Sequence, residues 1–130
     1  MNLYIISLLI VMSVLLISLV IFLRNYSEVR GSFSKELFGS FVAIYFILMI
    51  GFALIFFLLA EVGFVLLHDL SLQKGTSFER FFHAVYFSGV TLMTIGYGDI
   101  TPVGIGRAIA LFEAFIGYLL PAAFLYKLIR

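Results

Sequence analysis

Two glycines two residues apart, Gly96 and Gly98, lie in the stretch "TLMTIGYGDITP" from Thr91 to Pro102, with Thr94, Tyr97 and Asp99 beside them. Glycine is unfavourable inside a helix, by about 1 kcal/mol relative to alanine, but it takes positive φ readily. A chain that alternates its conformation through such a stretch turns successive carbonyls to one side. A row of aligned carbonyls repels itself unless cations lie among them, so this pattern makes a cation site from backbone alone. Other chemistry-bearing residues are sparse. Glu113 sits well inside a long apolar run, where a carboxylate is either functional or buried and hydrogen-bonded. Glu61 interrupts a second apolar run, as a buried partner or a solvated group. His68 and His83 are too isolated to form a metal site. With no cysteine, disulfides, thiol catalysis and cysteine-based metal sites are excluded. No Ser/His/Asp set, zinc pattern or paired carboxylates appear, which argues against a membrane enzyme, and no cofactor is expected.

The elements that must hold these residues are set by the solvent. Of the 130 residues, 64% are hydrophobic and 12% charged, against roughly a quarter charged in soluble domains. A soluble domain of this size could not hide so much apolar surface, so lipid surrounds most of the chain. The net charge of +1 points to no nucleic-acid partner. A membrane-spanning helix needs about 20 apolar residues to cross about 30 Å. Leu3 to Leu23 is one such run, uncharged and stopped by Arg24, and it lacks the start and cleavage site of a signal peptide. Its stripe Ser7, Val11, Val14, Ser18 and Ile21 is either a close-packing face or chance.

The second span is expected from Leu37 or Phe41 to about Leu67, with a turn at Gly75 in the polar connection that follows. Phe78 to Thr94 is apolar but only about 17 residues long and carries Glu79, Arg80 and His83, so it reads as a re-entrant helix. The last run, Gly104 to Arg130, would span about 40 Å as a helix and must tilt or protrude. Residues 1–36 form an N-terminal helix and loop, and residues 37–130 a second unit. Arg24, Arg30 and Lys35 in the first loop, with Lys127 and Arg130 at the end, outweigh Lys74, Arg80 and Arg107. That bias predicts the N-terminus outside and the C-terminus cytoplasmic; the expected location is a cell membrane, a prokaryotic plasma membrane, crossed several times.

Thr91, Thr94, Ile95, Gly96, Tyr97, Gly98 and Asp99 resemble the signature of the potassium-channel pore family, T-x-x-T-V-G-Y-G-D, with Ile95 in place of valine. The resemblance covers about Phe41 to Arg130. It implies an all-α membrane protein with outer helix, re-entrant pore helix, selectivity filter and inner helix, joined here by an extra N-terminal transmembrane helix. It also implies a homotetramer, one filter strand per chain, that passes dehydrated K⁺ through stacked carbonyl rings. The carbonyls of Thr94, Ile95, Gly96 and Tyr97, with the Thr94 hydroxyl, would bind K⁺, and Gly98 completes the filter. The alternative is a non-conducting, channel-like subunit that modulates a partner channel. A transporter derived from channels would carry four degenerate filters in one longer chain.

The family pattern also assigns supporting roles. Tyr97 would pack outward and set filter width, with Tyr86 and Phe87 where relatives carry tryptophans. Asp99 would either concentrate cations at the mouth or hydrogen-bond behind the filter, to Tyr86. Val90 replaces a glutamate that some relatives pair with that aspartate, and Met93 replaces a common threonine. Glu113 would lie behind the filter, bonded to pore-helix groups. Gly117 aligns with the hinge glycine, either bending or packing closely, and Pro121 predicts a kink. Tyr118, Pro121, Leu125 and Ile129 would line the inner pore, the last two as an apolar gate. No voltage-sensing arginine repeat is present and the sequence stops at Arg130, so gating is expected from the filter, the inner helix, lipid or a partner.

Overall fold

The structure, a computed structural model, describes residues 2–25, 35–69 and 75–129. Four helices dominate it. Three are long and apolar enough to cross a membrane, and the chain is an all-α, multi-pass membrane protein. Helix α1, Asn2–Asn25, ends beside Arg24, whose charge suits a helix C-terminus. Helix α2, Lys35–Glu61, has Glu36 in its first turn, the favourable sign for a helix N-terminus.

Helix α2 ends six residues before the expected Leu67. Gly63 adopts φ +109°, its N–H bonds to Ala60 O, and the Phe64 N–H bonds to Leu59 O. This glycine-centred cap satisfies the last carbonyls and turns the chain out of the helix. The apolar run thus continues past the helix, with Leu66 buried as extended chain. A two-stranded antiparallel ribbon follows, in which β1, Leu67–Asp69, pairs with β2, Ile100–Pro102, in the register Leu67↔Pro102, His68↔Thr101, Asp69↔Ile100. The ribbon ties the chain entering the re-entrant segment to the chain leaving it. Gly75 immediately precedes the helix cap at Thr76, and the rest of the polar connection in which its turn was expected lies outside the described residues.

Helix α3, Ser77–Leu92, starts at a capping box: Thr76 N–H donates to Glu79 Oε2 at 2.7 Å, and Glu79 N–H donates to Thr76 Oγ1 at 3.3 Å. Sixteen residues make about 24 Å of helix, short of a bilayer. Helix α4, Gly106–Ile129, contains Pro121 in its interior.

Helix α3 packs between α2 and α4. One cluster joins Ala53, Phe56, Leu66, Ala84, Phe87, Ile100 and Ala110, and a second joins Leu48, Phe52, Ile55, Leu92 and Leu120. Helix α1 docks on α2 through Leu8, Val11 and Leu15. The stripe expected from the sequence is only partly on this face, because Val14 and Ile21 are about half exposed. The small residue that permits close approach is on the other helix: a Cβ at Gly51 would overlap the Leu15 side chain. Arg30, Lys74 and Arg130, used above to orient the chain, lie outside the described residues.

Candidate functional site

The C-terminus of α3 delivers the glycine-rich stretch. Met93 caps the helix, its N–H bonding to Gly89 O at 3.0 Å. Thr94 N–H then bonds to Thr91 O at 3.0 Å, while Ile95 and Gly96 N–H groups share Val90 O at 2.9 and 3.1 Å. These bonds anchor the first half of the stretch to the helix by backbone alone. Along the stretch φ is positive at Thr94 (+58°), Gly96 (+59°) and Gly98 (+81°) and negative at Ile95 and Tyr97. The alternation that two spaced glycines permit therefore begins one step earlier, at a threonine. A β-branched residue with positive φ is strained.

Every residue from Met93 to Asp99 is exposed within the single chain. A Cβ on Gly96 or Gly98 would meet nothing within 4 Å, so the need for glycine within this chain is conformational. The Tyr97 ring is 69% exposed and is not covered by its own chain. Tyr86 and Phe87, neighbours on α3, diverge. The Tyr86 hydroxyl faces the Asp99 carboxylate, whereas Phe87 is buried edge-on against Phe56 of α2, centroids 5.2 Å apart. Ile100, next to Asp99, is buried in the ribbon and holds the exit of the stretch.

Glu113 of α4 is fully buried and hydrogen-bonded to Ser88 of α3, whose hydroxyl also reaches the Met49 carbonyl of α2 at 2.8 Å. A hydroxyl has one hydrogen. Both contacts are hydrogen bonds if Ser88 donates to Met49 and a protonated Glu113 donates to Ser88. Glu113 Oε2 has no partner among the described residues. Ser88 was not singled out from the sequence, although a lone hydroxyl on the buried face of α3 is the available signal.

Gly117 lies against the end of α3 so closely that a Cβ would run into the Leu92 carbonyl. Its own carbonyl accepts a 2.8 Å hydrogen bond from the Tyr45 hydroxyl of α2, another partner that sequence reasoning missed. Tyr118, Pro121, Leu125 and Ile129 are all exposed, so this face of α4 is left uncovered by the chain. At the ribbon end, Glu61 pairs with Arg80 and His83 with Asp69, which makes Glu61 a half-buried ion-pair partner. No group of three or more metal-ligating side chains occurs among the described residues.

Two long helices that cradle a short re-entrant one, followed by an exposed stretch of alternating backbone, define a membrane pore protein. A family model described as an ion channel matches residues 44–130, and the chain belongs to that family, one of channels rather than enzymes. Among curated proteins it is 43% identical over 76 residues to Protein LctB of Geobacillus stearothermophilus, covering 58% of this chain and 57% of that one. It is 38% identical over 82 residues to Protein LctB of Bacillus caldotenax, covering 60% and 59%. The match spans little more than half the length of these relatives. No solved structure matches the chain significantly.

Proposed function

We propose that the chain is one subunit of a K⁺-selective channel, a homotetramer that passes dehydrated K⁺ down its electrochemical gradient. Four copies of the stretch surround the path, and the carbonyls of Thr94, Ile95, Gly96 and Tyr97 with the Thr94 hydroxyl replace the ion's water. The observation that carries this reading is the alternation of φ at Thr94, Gly96 and Gly98, since it is the backbone pattern that turns successive carbonyls to one side. Tyr86 and Asp99 brace the outer mouth, Phe87 and Glu113 hold α3 in place, and Gly98 closes the filter. The C-terminal end of α3 directs its partial negative charge toward the ion path. The uncovered face with Tyr118, Pro121, Leu125 and Ile129 lines the inner pore, and its apolar end gates by dewetting. Gly117 lies where that helix meets the filter helix. The N-terminus is outside and the C-terminus in the cytoplasm of a cell whose plasma membrane, embedding the tetramer in lipid, holds the channel.

Purified protein in liposomes tests the reading. Reversal potential should follow the K⁺ gradient and ignore Na⁺. Equal permeability to the two ions would overturn the carbonyl filter. Absence of flux, with flux restored or altered only when a partner channel is added, would replace this reading by that of a modulatory subunit.

A further inference from the structure

A proline inside a helix removes the N–H that would bond to the carbonyl four residues earlier. For Pro121 that carbonyl belongs to Gly117, which is buried where α4 meets the end of α3. A buried carbonyl without a donor is costly, so its partner must come from elsewhere. It comes from α2: the Tyr45 hydroxyl donates to Gly117 O at 2.8 Å. The same face of α2 also grips α4 beyond the proline. Phe41, one turn before Tyr45 and edge-on to it at 4.9 Å, stacks on Phe124 at 4.5 Å. Helix α2 therefore holds α4 on both sides of Pro121, with a hydrogen bond before it and an aromatic stack after it.

We infer that Tyr45 is a positioning residue for the inner helix: its hydroxyl stands in for the amide that Pro121 lacks and holds α4 in its present course at Gly117. Bending α4 at this point requires that bond to break or to be carried along, so the outer helix biases the pore's open–closed equilibrium. The hydrogen bond stands apart from the proposed function, and only its consequence for gating rests on that reading.

A double-mutant cycle tests it. Tyr45→Phe keeps the ring and its contact with Phe41 but removes the donor. Pro121→Ala supplies a backbone N–H to the Gly117 carbonyl. In single-channel recordings, Tyr45→Phe should shift the open-to-closed ratio about fivefold, the weight of one net hydrogen bond, and leave the K⁺/Na⁺ permeability ratio unchanged. With Pro121→Ala also present, the effect of Tyr45→Phe should shrink to less than about twofold, since the carbonyl already has a donor. Equal shifts in both backgrounds, or none in either, would overturn the inference. The same cycle read by thermal unfolding of the purified protein needs no conduction: Tyr45→Phe should lower the midpoint beside Pro121 and not beside alanine, and additivity refutes the inference. Absence of flux would count against the proposed function alone, because the unfolding cycle still decides the role of Tyr45.

Discussion

Gly117→Ala separates two meanings of a glycine in the last helix. If the glycine serves only flexibility, alanine there should stabilise the fold by about 1 kcal/mol through helix propensity. The packing predicts the opposite. An added Cβ would overlap the Leu92 carbonyl oxygen and lie 2.7 Å from its carbonyl carbon and 3.0 Å from its Cα. These are backbone atoms at the end of α3, and they cannot rotate aside. Overpacking typically costs about 1–3 kcal/mol, and rigid backbone puts this site near the upper figure, so the net loss is about 2 kcal/mol after propensity is subtracted. Gly51→Ala is the control, because the nearest atoms its Cβ would meet all belong to the Leu15 side chain: it would overlap Cδ2 and lie 2.9 Å from Cδ1 and Cγ. That side chain can change rotamer, and the change should be close to neutral. The assay is denaturant unfolding of each purified variant in detergent. A Gly117→Ala protein as stable as the wild type, or more so, would refute the close-packing account.

Other perturbations reach different parts of the structure. Ser88→Ala removes the hydroxyl shared by the Met49 carbonyl and Glu113 and should cost about 1–3 kcal/mol; adding Glu113→Met should recover part of it, and a double mutant no more stable than Ser88→Ala alone would refute this in the same unfolding assay. Gly98→Ala forces a side chain onto φ +81° at a cost of about 1–2 kcal/mol per chain, and liposome flux should then lose discrimination between K⁺ and Na⁺. The Thr76 backbone N–H, with a further contribution from its hydroxyl, holds the Glu79 carboxyl below the usual range. A depressed carboxyl contributes stability that is present above its unfolded value and lost as pH falls through the folded one. Thermal midpoints should therefore decline below about pH 4, and Glu79→Gln should flatten that dependence. Thr76→Ala should lower the midpoint at neutral pH by the equivalent of about 1 kcal/mol, the weight of an N-cap.

Local features were legible where a single segment carries the physics. An apolar run long enough for a bilayer must cross it, so the three long helices follow from hydropathy, although Glu113 lies inside the third. The 16-residue α3 is too short to cross and was readable as re-entrant. Boundaries were less legible. The apolar run to Leu67 concealed the end of α2 because Phe64 to Leu66 remain apolar outside the helix, and Gly63 was the signal that mattered. The packing face of α1 was left open by the sequence for a related reason. Small residues on one helix suggest a contact, but the contact forms where the partner supplies room, here at Gly51 opposite Leu15.

By itself the sequence determined the solvent, the order of spans and the backbone stretch in which two glycines allow alternating φ, because each depends on composition or on residues within a few positions of one another. Tertiary structure alone decided that Ser88 meets Glu113 across 25 residues and Tyr45 meets Gly117 across 72. It also decided that Leu92 occupies the space where a side chain on Gly117 would be. Periodicity tells which side of a helix is apolar. It does not tell which residue of another helix will stand opposite, and the donors and close contacts that hold this site depend on that pairing.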